Sequence, residues 1–278
     1  MDQNNLEYLQ KTLDYLGFGT RLNEVLSSAI YRELESFSLG INQRYIPAEF
    51  RSDPTKMIDQ AHFQLNFSRS GETGMYFLNT YQLTLKRYNA EEPIQQTFDL
   101  EKHHRISALQ AYRLTCGLSL EKEILQKREA GDDVIPQRIP VWLKLDLSVS
   151  DDKGNHPLMR FYPGYGYDLR TTLDNFAFLG LEDPEKKDAV IKALRFGNLI
   201  ELSLAKENGS QQVYVAANPK LKTLDLYSMN MQPIKDLSAV LPKNENLPDI
   251  QSTGVEAKGN NNTITFPMDS VENRGRGR

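Results

Sequence analysis

The chain has 278 residues, with 37 acidic side chains against 33 Lys and Arg, for a net charge of −4. An acidic balance argues against a protein whose main task is to hold a phosphate backbone, although it leaves room for a local basic patch. Cys116 is the single cysteine, which excludes an internal disulfide and a thiolate metal cluster and points to a reducing compartment.

The first residues, MDQNNLEYLQ, are polar and acidic. They lack the basic start and apolar stretch of a signal peptide, and no apolar run approaches the roughly 18 residues that span a bilayer. The expected location is cytoplasmic, with no membrane contact. Leu6, Leu9, Leu13 and Leu16 recur at helical spacing and predict a first helix over 3–16. Gly17-Phe18-Gly19 ends it. Thr20 or Asn23 is expected to cap a second helix that turns Leu22, Val25, Leu26, Ala29 and Ile30 inward. Phe37, Leu39 and Ile41 then alternate as in a strand, and Phe63, Leu65 and Phe67 do so again after a Pro-containing loop at 42–60. Residues 75–87 supply one or two more strands, and a short one follows around Phe98. Ser107 is a cap for a helix carrying Leu109, Ala111 and Leu114, and a charged helix is expected at about 118–130.

GDDVIPQRIP, residues 131–140, holds two prolines and a glycine and reads as a domain boundary. Val141, Leu143, Leu145, Leu147 and Val149 form the clearest strand pattern in the chain, which leaves Trp142, Lys144 and Asp146 on its polar face. DDKGN is a hairpin turn into 157–162. Residues 168–179 look helical. Asp183-Pro184-Glu185 opens another helix in the order cap, proline, acid, and Gly197 closes it before strands through 199–227. From 233 the composition turns to Pro, Gly, Asn and charge, which predicts a mostly disordered tail over 233–278 that includes the segment ITFP.

Two stretches look like copies of one another. MYFLNTYQLTLKRY (75–88) overlays YVAANPKLKTLDLY (214–227) without gaps, matching Asn79 with Asn218, Thr84 with Thr223, Leu85 with Leu224 and Tyr88 with Tyr227. The preceding helix-to-strand runs also overlay, with Val25 on Val190 and Ser38 on Ser203. The first copy then carries an insertion around 42–67. The expected fold is α+β: helices packed on mostly antiparallel sheets, built from two or three related helix–hairpin units. The expected divisions are 1–130, 131–232 and the tail 233–278.

EYLQKTLDYLGFG, MYFLNTYQLTL, ISALQAYRL, YGYDLRTTL, LEDPEKKDAVIKALRFGNL and YVAANPKLKTLDLYSMNM, in that order over roughly 5–231, resemble a family of Bacteroidetes proteins carried on conjugative and other mobile elements. The resemblance implies a bacterial cytoplasmic setting and a step in DNA transfer or its regulation. It carries over no catalytic residue and implies no reaction.

The most site-like stretch is RFYPGYGYDLR, with Tyr162, Tyr165 and Tyr167 between Arg160 and Arg170. Tyr beside Arg suits a protein-interface hot spot and equally the stacking of single-stranded bases. The plainer reading is a Tyr-rich turn packed on a sheet. Trp142, if exposed on its strand, would extend the same surface. The partner is expected to be a protein; the alternative is a nucleic acid held by these tyrosines with Arg160, Arg170, Lys192 and Arg195. An enzyme with a composite pocket is a third reading. No cofactor or metal is expected. His103-His104 reads as a solvated turn, Asp146, Asp151 and Asp152 as strand face and turn, Glu185-Lys186-Lys187 as a helix start, Cys116 as core, and Arg274, Arg276 and Arg278 as a solubilising tail. Neither a phosphate loop nor a nucleophile elbow is present in the sequence.

Overall fold

Asp2 starts the first helix by accepting the backbone N–H groups of Asn4 and Asn5. α1 (Gln3–Tyr15) buries Leu6, Leu9 and Leu13, the stripe its spacing predicts. Asn5 fixes it to the sheet, since its amide both donates to and accepts from the backbone of Tyr76 at 3.0 and 2.8 Å. The computed structural model describes residues 2–50, 57–100, 105–130, 133–206 and 209–235. The expected tail from 236 onward, with ITFP and RGRGR, lies outside the described residues, as do His103 and His104.

α2 (Asn23–Tyr31) leads into a four-stranded antiparallel sheet of β1 (Ser36–Tyr45), β2 (Asp59–Arg69), β3 (Tyr76–Lys86) and β4 (Ile94–Asp99), paired in chain order. α2 departs from the expected capping: Leu22 is the N-cap, without a side-chain hydrogen bond. Val25 also departs, because it is exposed while Leu22, Leu26 and Ile30 are buried. Leu39, Phe63, Leu65, Tyr81 and Leu83 turn inward from the sheet. The register lays the opposite face out in rows across the strands. Ser38, Asn66, Thr80 and Asp99 form one row. Gly40, Gln64, Gln82 and Thr97 form the next. Asn42, His62, Thr84 and Gln95 form the third. Arg44 and Lys86 stand beyond them at one end.

α3 (Ala108–Thr115) begins at Ser107 with a capping box, the Ser107 hydroxyl accepting Gln110 N–H and the Gln110 side chain accepting Ser107 N–H. It leads into a second antiparallel sheet, β5 (Leu120–Ala130), β6 (Asp133–Leu145) and β7 (Leu158–Phe161). The charged helix expected at 118–130 is therefore a strand. Leu120 and Ile124 are four residues apart, a spacing that fits both periods, and pairing with β6 decides between them. The expected boundary at 131–140 falls inside this hairpin, whose ladder runs from Leu120↔Leu143 to Ala130↔Asp133. Pro140 is tolerated because β7 pairs only with 142–145, so β6 has an open edge where the missing N–H falls.

α4 (Leu169–Asp174) is shorter than expected. Beyond it, Ala177–Leu179 runs against a strand of the last sheet, with Ala205 N–H donating to Ala177 O and Leu179 N–H to Ser203 O. α5 (Pro184–Arg195) starts on Asp183 as its sequence predicts. It precedes the third antiparallel sheet, β8 (Ile200–Lys206), β9 (Gly209–Asn218) and β10 (Thr223–Tyr227). The fold is α+β with sheet predominating.

The gapless overlay of 75–88 on 214–227 does not survive. Asn79 and Thr84 both lie within the single strand β3, whereas Asn218 ends β9 and Thr223 begins β10 across a tight turn. Asn218 belongs to that turn: its side chain accepts Leu221 N–H and donates to Asp225.

Two cores result. One joins α1, α2 and α3 to the inner faces of the first two sheets and to one face of the third through Tyr214, Ala216 and Tyr227; the other joins α4, α5 and the other face of the third sheet to the opposite face of β6. Inside the first, Asp59 is fully buried, and its carboxylate accepts Tyr112 O–H at 2.8 Å and Tyr88 N–H at 2.9 Å and faces Arg87 at 3.4 Å. The two cores are bolted at the helix ends. Arg113, itself buried, donates to the carbonyl of Phe196 at the end of α5 at 2.6 Å.

Candidate binding site

The aromatic turn is assembled by β7 and by a 3-10 turn, Pro163–Tyr165, that Gly166 closes in the left-handed region (φ 80°). Trp142 pairs with Phe161 across β6 and β7, which puts both rings on one pleat face. Trp142 is only 5% exposed, a correction to the expected surface tryptophan. The polar face of its strand is covered by α4, the aromatic turn and the third sheet. Tyr167 meets Trp142 edge-on at 5.3 Å and donates its hydroxyl to Thr223 O at 3.2 Å. Lys144, next on that face, is drawn inward too. It donates to Gly117 O and lies 3.8 Å from Asp225, and burial pushes its ammonium below the ordinary lysine range.

Trp142, Phe161, Tyr162, Pro140, Pro163 and Tyr167 wall a groove of about 330 Å³, with Glu121, Asp168 and Arg195 among its polar lining. Glu121 and Arg195 also line an adjoining hollow of about 460 Å³, shared with Arg170, Asp188, Ile191, Lys192 and Phe196. Of the residues expected to form the site, Trp142, Tyr162 and Tyr167 line the groove and Arg170 lines the hollow. Tyr165 stands at the rim: its ring packs on Phe161 at 5.0 Å, Lys222 lies 4.6 Å from its centroid, and its hydroxyl donates to Lys220 O. Arg160 is placed elsewhere, on the pleat face opposite Phe161, and is not brought to the groove.

The groove and hollow carry three acids, Glu121, Asp168 and Asp188, against three bases, Arg170, Lys192 and Arg195. Two of the bases are committed. Arg195 faces Glu121 at 3.3 Å, and Arg170 donates to Asp188. Burial raises the Glu121 carboxyl, while Arg195 pulls it back down. Asp168 accepts Thr171 N–H as the cap of α4, and that bond lowers its carboxyl. The surface is thus aromatic and locally neutral.

Glu121 and Pro140 had no signal of their own in the sequence, because they meet the aromatic turn only when β5, β6 and β7 pair. The remaining candidates are spent on structure. Asp151 accepts Lys153 and Asn155 N–H within its turn, and Asp146 accepts Ser148 and pairs with Lys220. Among the described residues no three His, Cys, Asp or Glu side chains come together to hold a metal ion, and no helix is long and apolar enough to cross a membrane. Cys116 is fully buried and its thiol is pushed up to about 12 by that burial. Comparison with family models, curated proteins and solved structures finds no match to this chain.

Proposed function

We propose that this protein is a non-enzymatic binding or accessory protein of a bacterial mobile element, working in the cytoplasm and contacting a protein partner through the groove between the aromatic turn and α5. The observation that carries this reading is the groove's charge balance. Its walls are aromatic and prolyl, and its arginines arrive already paired with carboxylates. A neutral, aromatic-walled cleft suits an extended peptide segment, whose anchoring side chains can be desolvated against Trp and Tyr rings. A nucleic-acid strand would have to break two ion pairs to reach the arginines. The mobile-element setting rests on the sequence resemblance alone.

We also infer that the three helix-led meanders are related units. In α2–β1, α3–β5 and α5–β8 the chain leaves the helix through one positive-φ residue, Glu33, Gly117 or Gly197. The next strand starts three residues later each time, at Ser36, Leu120 and Ile200.

Both binding readings are tested by one pair of measurements. Tagged full-length protein and its Tyr162→Asp variant are used to capture partners from the native host. The same two proteins are titrated with labelled single- and double-stranded DNA across a salt series. Capture of a defined protein that Tyr162→Asp abolishes, with no DNA binding at low salt, is the expected result. Steeply salt-dependent DNA binding lost on Tyr165→Ala would replace the protein reading with the nucleic-acid one.

A further inference from the structure

The outer face of the first sheet carries its own signal. Eleven of the twelve positions in its three central rows are uncharged, and the one charge, Asp99, sits on the edge strand β4. Such a face stands out in a chain in which a quarter of the residues are Asp, Glu, Lys or Arg. α5 alone presents Glu185, Lys186, Lys187, Asp188, Lys192 and Arg195. Charge on a solvated sheet face costs little, so its absence from the three central rows and its return at one end, as Arg44 and Lys86, resembles the centre and rim of an interface.

The face is also ordered before anything meets it. Ser38 donates to Asn66 at 2.9 Å, Asn66 donates to Thr80 at 3.0 Å, and His62 Nδ1 lies 2.8 Å from Asn42 Oδ1. Gly40 keeps the centre flat, since a Cβ there would sit 3.2 Å from the His62 ring. These side-chain hydrogen bonds run across the strands and leave amide and hydroxyl groups that both donate and accept.

We propose that this face is the contact between two copies of the chain. A surface of groups that are each donor and acceptor is complementary to its own image, which is what a twofold contact requires. A twofold axis lying across the strands sets the Arg44 and Lys86 end of one copy over the Ser36 end of the other, just beyond which lies Glu35, while Glu33 there is already paired with Arg69. From strand spacing and rise the face covers about 550 Å² per copy, about 1,100 Å² for the pair. That lies at the low end for specific interfaces, so the dimer is weak, concentration-dependent and hydrated. It leaves the groove, on the far side of the second sheet, free for its own ligand.

The test is sedimentation of the full-length chain over a wide concentration range. A monomer–dimer equilibrium is expected. Gln64→Lys, at an exposed site that unfolds nothing, shifts its midpoint upward by about tenfold or more through like-charge repulsion in the centre, with thermal stability unchanged. Mixing Gln64→Lys with Gln64→Glu protein restores association, which a folding defect would not allow. A chain that stays monomeric at every concentration, or a dimer indifferent to both substitutions, overturns the proposal.

Discussion

The first sheet and strand β6 meet the burial problem in opposite ways. In β1–β4 one face is core and the other is open, so Leu39 is buried and its neighbours Ser38 and Gly40 are exposed. In β6 the same alternation separates two cores. Val141 and Leu143 belong to one and Trp142, between them, to the other. Alternation of apolar and polar residues therefore reports which face is greasier, and leaves open whether the second face is wet. Lys144 shows how a nominally polar face is covered: its stem is buried while its ammonium finds Gly117 O and Asp225.

Trp142→Ala is the largest perturbation of that contrast. It removes the biggest ring from the second core, and a loss of about 3–5 kcal/mol is expected in denaturant unfolding. A loss below about 1 kcal/mol, ordinary for a surface site, would mean that the second face of β6 is open like that of β1. Gly197→Ala comes next. Its φ is +79°, and a Cβ would stand 3.0 Å from Ser119 O and 3.1 Å from Leu120 Cβ, so both conformation and space are violated. About 2–4 kcal/mol is expected. Gly17→Ala is the control, with a similar φ of +85° but only Ala108 Cβ nearby at 3.9 Å; it should cost about 1 kcal/mol, the left-handed term alone.

Much of the fold was legible because local signals agreed with it. The Leu6–Leu16 stripe, Ser107 with Gln110, and Asp183-Pro184-Glu185 each specify an element through neighbours in sequence. β5 was misread because Leu120, Ile124 and the charges between them are equally good in a helix, and only the partner strand decides. The buried Asp59, Arg87 and Tyr112 cluster gave no signal, because its members come from β2, the end of β3 and α3. The candidate site was half legible. The tyrosines were adjacent in sequence, but the groove's other wall is supplied by Pro140, Glu121 and Arg195, which only the pairing of β5 with β6 and the docking of α5 bring near.

The helix exits sharpen the comparison between units. Glu33 occupies, at φ 54°, the position that Gly117 and Gly197 hold in the other two. Its side chain lies 3.6 Å from Arg69 in a solvent-exposed pair that contributes little. Glu33→Gly should therefore stabilise the protein by about 1 kcal/mol, the relief of a left-handed non-glycine residue outweighing the added freedom of the unfolded chain. A destabilised variant would show that the first exit is built differently from the other two.

Lys122 gives the one effect with a pH signature. It lies on β5 between Leu120 and Ile124, donates to Gln110 Oε1 at 2.8 Å, and has its ammonium lowered to about 8 by burial. Here the folded value is below the unfolded one, near 10.5. Between those limits the unfolded chain binds the extra proton, so this contribution makes stability rise as pH goes from about 8 to about 10.5, with the full penalty present below 8. Buried tyrosines such as Tyr112 and Tyr81, raised by desolvation, act in the opposite direction at high pH. They are common to the wild type and Lys122→Met and cancel in the difference. The stability gap between the two proteins should favour the methionine variant below pH 8 and close as pH rises. A gap that stays flat across that window would mean that the Lys122 head reaches water despite its place on the inner face of β5.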